Sequence, residues 1–438
     1  MAGCDGGGGG EDERSGPGSG GGAAGSGEAG GSGGTRGGSA GAAARPTGDG
    51  RVEPTEIRPP GLQEHLRALQ EIANENGGNR AAGTPGSEAS AEYVAERLRE
   101  AGWRVELEPV FFPYFDERSP ARLDDLDEGH DFLTLSYSGS GRVDARVRRL
   151  GLGCERGDFR ALEEGEIAVV ARGECFFRDK ARNAEAAGAA ALLIVDGESD
   201  EPPSATLGAP GIEIPVLAVG AAAGHSLGPT AEVEVDAVSE RRRTVNVIAE
   251  TAGGRGDRVV VAGGHLDSVP AGPGINDNGS GTAALLEIAD ALGGRAPGAR
   301  VRLAFWGAEE LGLIGSRRHV RELEPGERER IAAYLNLDMV GSPNPAHGVY
   351  SDADPEIEQL LRRLVGPDAE EENAGGNSDH APFQRAGIPV GGLYTGAGEP
   401  HDACYHRACD DIRNIDMPIL VKMARAAGEA VERLSARG

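Results

Sequence analysis

The chain has 438 residues, of which 38% are hydrophobic, and its formal net charge is −27 at pH 7. This length exceeds one ordinary hydrophobic core and predicts two or three domains. The negative charge disfavours binding to nucleic acid phosphates or to anionic lipid surfaces, and the sequence contains no run of 18 apolar residues that would span a bilayer.

The N-terminal segment is rich in glycine: 22 of the 71 glycines lie in the first 50 residues, mixed with Ser, Ala, Asp and Glu. Such a composition cannot bury a core, so residues 1–55 are predicted to be a disordered tether. Residues 2–4 read Ala-Gly-Cys, like the end of a bacterial lipoprotein cleavage site. This match predicts a lipid anchor at Cys4, and a stray cysteine is the alternative.

The other four cysteines form two short-range pairs, Cys154 with Cys175 and Cys404 with Cys409. Neither pair has the C-x-x-C spacing of a zinc knuckle or a redox motif. In an acidic chain with a linker-like N-terminus, these pairs predict two disulfides and an extracellular or cell-surface location.

Ordered structure is predicted to begin near Glu56. Apolar residues recur at a helical period in "LQEHLRALQEIA" and again in "SEASAEYVAERLREAGW". They predict two amphipathic helices, of which the second is capped by Ser87 and closed by Gly102. A strand is predicted to follow in "RVELEPVFF".

Residues 114–242 have a different texture, with short β runs around one helix, "RDKARNAEAAGA". This pattern predicts an inserted α/β domain. From residue 243 onwards, helices alternate with strands that are continuous apolar runs. Such runs indicate a mostly parallel mixed sheet sandwiched by helices. Residues 56–113 and 243–438 are therefore predicted to form one domain that the insert interrupts.

Three of these predicted strands end in an acid or a histidine. The residues are His265 with Asp267, Glu309 with Glu310, and Asp338. The carboxyl ends of strands in an open α/β sheet form the rim where ligands bind, so these side chains are predicted to converge. Asp277, in the loop before the next helix, and His406, between Cys404 and Cys409, are predicted to return to the same rim.

This set of histidines and carboxylates predicts a metal centre, since like charges at one edge repel strongly unless cations lie between them. Zinc is the expected metal, and the number of side chains suits two ions that share a bridging carboxylate. Asp267 is predicted to accept the second ring N–H of His265, because residues two apart in a strand point the same way. Glu310 is available as a ligand, which leaves Glu309 as the candidate general base.

The chain carries five motifs in order: "GGHLDSVPAGPGINDNGSGTAALLE", "FWGAEELGLIGS", "LNLDMVGS", "SDHAPF" and "CYHRACD". Together they resemble the bacterial secreted di-zinc aminopeptidases, the leucine aminopeptidase and aminopeptidase S and Y group. The resemblance covers about 56–113 and 243–438 and implies a zinc peptidase catalytic domain with the phosphorylase/hydrolase-like fold of zinc exopeptidases. The insert at 114–242 resembles a protease-associated domain.

The resemblance also implies a role for each predicted site residue. One zinc would bind His265 and Asp338, the other would bind Glu310 and His406, and Asp277 would bridge them. Glu309 would act as the base, and Tyr405 would donate its hydroxyl to the tetrahedral oxyanion. The implied reaction removes an apolar, leucine-like residue from peptides with a free N-terminus, by means of a hydroxide that bridges two zinc ions.

Other functions stay open on the sequence. A G-x-S-x-G match at 224–228 makes Ser226 a candidate serine hydrolase nucleophile, although Pro229 and a β-like run stand where this motif requires a helix. A non-catalytic binding protein on the same scaffold is a second alternative, and a same-fold carboxypeptidase or glutaminyl cyclase is a third. Asn377 also stands where some relatives carry a basic residue, just before "SDHAPF".

Overall fold

The computed structural model describes residues 56–296 and 298–437. The predicted tether, residues 1–55, and the predicted lipid anchor at Cys4 lie outside the described residues. Within the described ranges, no helix is both long and apolar enough to cross a membrane. The prediction of the fold class is confirmed, because a large mixed sheet is flanked by helices.

The strands of the described residues form one extended sheet. They are β1 (Arg104–Leu123), β2 (Phe132–Thr134), β3 (Gly141–Arg149), β4 (Ile167–Ala171), β5 (Ala191–Val195), β6 (Val216–Val219), β7 (Thr230–Glu250), β8 (Arg255–His265), β9 (Ala299–Trp306), β10 (Ile331–Leu337), β11 (Gly348–Tyr350), β12 (Glu370–Glu372) and β13 (Val390–Tyr394). Their order is β12-β11-β13-β10-β8-β9-β7-β3-β4-β5-β6-β2, with β1 paired to β7. Strands β13, β10, β8 and β9 run parallel, so their carboxyl ends lie at one edge.

The α-helices of the described residues precede, separate and follow these strands in the chain. They are α1 (Pro59–Glu75), α2 (Pro85–Glu100), α3 (Phe177–Ala186), α4 (Ala221–Ser226), α5 (Gly281–Leu292), α6 (Ile314–Glu322), α7 (Pro325–Arg330), α8 (Pro355–Val365), α9 (His380–Arg385) and α10 (Met417–Ala436). Thr84, not the predicted Ser87, caps α2, and its side chain accepts the N–H of Ser87 at 3.4 Å. The helix begins one turn earlier than predicted because Pro85 suits its first position.

Both faces of the parallel strands are buried, as β8 illustrates. Val260 and Ala262 pack into a core shared with α1, α2, α5, α8 and α10. Val259 and Val261 point to the opposite face, where they pack with Trp306 and with residues of α6 and α9. Because successive side chains enter different cores, these strands appear in the sequence as continuous apolar runs.

A long antiparallel ribbon connects the two predicted domains. Strands β1 and β7 have 20 and 21 residues and pair from Arg104 opposite Glu250 to Leu123 opposite Val233. The ribbon passes through both predicted boundaries without a break. The buried residues of two separate hydrophobic cores all lie within residues 121–237. We therefore propose that residues 114–242 form the insert and that the boundaries lie within the ribbon.

Both predicted disulfides are present. Cys154 and Cys175, with Cα atoms 5.7 Å apart, join the loop after β3 to the turn before α3. Cys404 and Cys409, with Cα atoms 5.2 Å apart, close a short loop between β13 and α10. The second disulfide constrains the loop that carries His406.

Candidate metal centre

His265 is the last residue of β8 and is buried. Its Nδ1 donates a hydrogen bond to the backbone carbonyl of Asp267 at 3.0 Å, whereas the Asp267 carboxylate lies 3.9 Å from the same nitrogen. The predicted contact to the carboxylate is thus replaced by one to the backbone, because the strand ends at His265 and the strand geometry does not extend to Asp267. With Nδ1 as donor to the backbone, Nε2 faces the neighbouring carboxylates and, once deprotonated, is available as a metal ligand.

The Asp267 carboxylate instead contacts the loop after β9. Its Oδ1 accepts the backbone N–H of Glu309 at 3.1 Å, and both carboxyl groups are buried. The loop passes through Ala308 with φ near 59°, which turns Glu309 and Glu310 back over the sheet edge. Asp267 therefore joins the ends of β8 and β9 and positions the segment that carries the two glutamates.

The loop before α5 places Asp277 above the end of β10. The Asn278 side chain donates to the Leu337 carbonyl at 2.8 Å and accepts the N–H of Met339 at 3.2 Å. This approach requires glycine at position 264, because a Cβ there would lie 2.4 Å from the Leu337 oxygen and 3.0 Å from the Asn278 amide. The "GGH" sequence thus leaves room for the loop to dock.

Asp410 fastens the disulfide loop to the same place. Its two carboxylate oxygens accept the backbone N–H groups of Asn276 at 2.8 Å and Asp277 at 3.0 Å. Asp410 directly follows Cys409, so the Cys404–Cys409 loop is tied to the backbone of Asp277. His406 has φ near 58° in this loop and extends its imidazole toward the Asp277 side chain.

The five predicted ligands come together as two triads that share Asp277. In the first triad, His265 Nε2 lies 3.1 Å from Asp277 Oδ1 and 3.2 Å from Asp338 Oδ1. In the second, His406 Nε2 lies 3.2 Å from Asp277 Oδ2 and 3.1 Å from Glu310 Oε2. Within each triad, the potential ligand atoms lie within 4.8 Å of one another. Each oxygen of Asp277 therefore faces a different triad.

The electrostatics of the triads fit bound cations. Burial raises the pKa of the Glu310 carboxyl to about 7, and hydrogen bonds with Asp277 and Glu310 raise the pKa of His406 to about 10. Glu310 Oε1 is buried and has no hydrogen-bond partner among the described residues. Groups whose pKa values are raised in this way favour bound protons, which a divalent cation would displace, since metal ligands bind in their deprotonated form. Imidazole and carboxylate are ligands that zinc accepts.

The five potential ligands, Glu309 and Tyr405 all line one cavity of about 500 Å³. Glu309 belongs to neither triad, and burial raises its pKa well above the usual range. The Tyr405 ring stacks on His406, with centroids 3.8 Å apart, and Tyr405 lines the cavity. Met339, Tyr350 and Tyr394 contribute apolar surface to the wall.

Ser226 has none of the geometry of a serine hydrolase nucleophile. It is the last residue of the short helix α4, and its hydroxyl donates to the Ala223 carbonyl at 2.8 Å. Strand β7 begins at Thr230, so the strand, sharp turn and long helix of a nucleophile elbow are not formed around it.

Arg80 supports the segment that carries the site, a role that the sequence analysis does not predict. Its guanidinium is fully buried and donates to the carbonyls of Leu266, Pro273 and Gly274. Its backbone N–H also donates to Ser268 Oγ at 2.9 Å. Arg80 therefore holds the whole segment between His265 and Asp277. It lies in the Gly- and Pro-rich loop after α1, which carries no local signal of such a role.

Replacing Arg80 with methionine should lower the free energy of unfolding by at least ~3 kcal/mol, because three buried carbonyls lose their donor. Urea denaturation followed by circular dichroism measures the change. Arg67→Met, at an exposed position of α1, is the matched control and should stay within ~0.5 kcal/mol of the parent. Equal stability of the two variants would show that Arg80 does not support the loop.

Two family profiles match the chain. The profile of peptidase family M28 matches residues 246–431, and the profile of the PA domain matches residues 144–227. The first match contains all five potential ligands, and the second lies inside the predicted insert. Each of the two parts that the ribbon connects therefore matches a different protein family.

Individual proteins show similarity over most of the chain. An aminopeptidase of Pseudomonas aeruginosa is 38% identical over 82% of this chain and 77% of its own. A probable lipoprotein aminopeptidase of Mycobacterium tuberculosis is 37% identical over 82% and 81%. The structure of a zinc aminopeptidase from Bacillus subtilis superposes with a TM-score of 0.59 at 28% identity, covering 87% of this chain and 96% of that one. The chain therefore belongs to peptidase family M28 and carries a PA domain.

Proposed function

We propose that this member of peptidase family M28 is a zinc aminopeptidase that holds two zinc ions. The observation that carries the proposal is the shared carboxylate, since Asp277 Oδ1 and Oδ2 face different imidazoles at 3.1 and 3.2 Å. His265 and Asp338 would hold one ion and Glu310 and His406 the other. Relatives that are named aminopeptidases support the reaction class, and the Bacillus subtilis structure, titled a zinc aminopeptidase, supports the metal.

Zinc bound in the two triads would supply Lewis acidity to the substrate carbonyl and to water. Glu309 is free of both triads and borders the cavity, so its carboxylate can take a proton from the attacking water. The same carboxyl can then deliver the proton to the departing amine. Asp267 keeps Glu309 in place through the backbone, and the Tyr405 hydroxyl can donate to the oxygen of the tetrahedral intermediate.

The cavity favours an aminopeptidase over a carboxypeptidase. Five acidic residues line it, and the four in or beside the triads attract the positively charged amine of a peptide N-terminus. These four are Asp277, Glu309, Glu310 and Asp338, and the fifth is Glu372. Among the described residues that line the cavity, Arg317 is the one arginine, so the cluster of arginines expected for a terminal carboxylate is not formed. The apolar wall formed by Met339, Tyr350 and Tyr394 suits an apolar, leucine-like side chain.

We also propose a secreted or cell-surface location. The described residues form two disulfides, which persist in oxidising compartments and are rare in the cytosol. The Mycobacterium tuberculosis relative is named a probable lipoprotein aminopeptidase, which agrees with this location and with the predicted lipid anchor at Cys4.

Removal of the metal and blocking of the amine test the proposed function together. We expect the purified chain to hydrolyse a leucine reporter substrate, to lose that activity on dialysis against a chelator, and to regain it with zinc. The N-acetylated reporter should not be hydrolysed, because its amine carries no charge. Activity that survives the chelator, or equal turnover of the acetylated reporter, would exclude a zinc aminopeptidase.

A further inference from the structure

One wall of the cavity ends in a carboxylate that the proposed reaction does not use. Strands β11 and β12 run parallel with Tyr350 opposite Glu372, and residues paired in this way point to the same side of a sheet. Both side chains line the cavity. Tyr350 is buried, and its hydroxyl accepts a hydrogen bond from Asn336 at 3.1 Å, two residues before Asp338.

Glu372 differs from its two neighbours in β12 because each of their carboxylates has a partner. Glu371 points to the other side of β12, where its Oε1 lies 3.5 Å from Arg362 Nη1. Glu370 accepts the backbone N–H of His347 at 3.3 Å. Among the described residues, no side chain forms a salt bridge or hydrogen bond with the Glu372 carboxylate, and the side chain is only partly buried. Its charge is therefore directed to the cavity and available to a ligand.

The surroundings of Glu372 define the chemistry of that ligand. Tyr394 lines the same wall, and Glu372 adds to the upward shift that burial and Asp338 cause in the pKa of the Tyr394 hydroxyl. Two aromatic rings and Met339 provide surface against which methylene groups can pack. A carboxylate beyond such a surface complements a side chain with an apolar stem and a cationic end. Lysine and arginine have this form.

We propose that Glu372 determines specificity and that the enzyme removes N-terminal lysine or arginine in addition to leucine. The inference rests on the proposed aminopeptidase function and names the substrate class of the same site. The apolar wall accepts leucine or the stem of a basic residue, while Glu372 pairs with the ammonium or guanidinium group. Because the free amine of the substrate binds near the triads, Glu372 remains available to bind the side chain of the N-terminal residue.

Lysine and leucine reporter substrates, assayed with the zinc-loaded full chain, test the proposal. Glu372→Gln should lower kcat/KM for the lysine reporter at least ~10-fold, as expected for loss of a hydrogen bond to a charged group. The value for the leucine reporter should change less than ~2-fold, since it depends on the apolar wall. Glu371→Gln, the same charge change on the other side of β12, should leave both values unchanged.

The outcomes separate this proposal from the proposed function. Retained leucine turnover in Glu372→Gln shows that the variant is folded and that aminopeptidase activity persists. If kcat/KM then falls equally for both reporters, Glu372 binds the common amine, and the proposal is overturned. It is also overturned if the lysine-to-leucine ratio is unchanged. Absence of leucine turnover in the parent enzyme would instead refute the proposed function.

Discussion

Replacing Glu309 with glutamine should lower kcat at least ~100-fold while leaving the zinc content unchanged, because a general base contributes on this scale. Glu309 belongs to neither triad, so its loss should not release metal. Glutamine keeps the size of the side chain but cannot take a proton from water. Steady-state kinetics together with metal analysis of the same preparation measure the two quantities.

The adjacent Glu310→Gln variant is the matched control for Glu309→Gln. Glu310 Oε2 lies 3.1 Å from His406 Nε2 in the second triad, so this variant should lose zinc as well as activity. The two glutamates differ by one position and receive the same change. If Glu309→Gln loses the metal and Glu310→Gln retains it, the two roles are reversed.

Replacing Asp277 with asparagine should lower kcat/KM at least ~1000-fold. The reason is that zinc stabilises the transition state by several kcal/mol, and this stabilisation requires both ions. Asparagine has one oxygen and cannot present an anionic oxygen to each triad. The backbone N–H of residue 277 still donates to Asp410, which preserves the loop. Zinc content should fall below that of the parent.

Asp411→Asn is the control for Asp277→Asn. Asp411 pairs with Arg413 outside the cavity, so this variant loses the same charge near the same loop. Kinetics and zinc content should match those of the parent. Full activity in Asp277→Asn would mean that no carboxylate is shared between two ions.

Much of the fold could be predicted because its signals are local. Strands β8, β9 and β10 appear in the sequence as continuous apolar runs, since both faces of the parallel sheet are buried. A polar residue at or just after the end of such a run lies at the edge of the sheet, and this position does not depend on the conformation of the loops. This rule predicts from the sequence that His265, Glu310 and Asp338 lie at one edge of the sheet.

The extent of the β1–β7 ribbon could not be predicted from the sequence. Residues 114–123 contain four charged residues and one proline, a composition that is unusual in strands. They are extended because they pair with β7, more than 100 residues later in the chain. In this region, backbone hydrogen bonds between two distant segments outweigh the low strand propensity of the local sequence.

The supports of the site were also missed, for a related reason. Arg80 contacts carbonyls 186 to 194 residues away, and Asp410 contacts backbone groups 133 and 134 residues away. Their partners are backbone atoms. Since every residue has a backbone, such contacts leave no pattern of residue types in the sequence. Asp267 is identified from the sequence, but its contact differs from the prediction for the same reason, since its carboxylate accepts the backbone N–H of Glu309.

The zinc content of the purified, active chain tests the central claim most directly. Because two triads share Asp277, we expect two zinc ions per chain. Elemental mass spectrometry measures this number. Asp277→Asn should then retain fewer than two, whereas Glu309→Gln should retain both. Full activity with one zinc ion or none per parent chain would contradict the account.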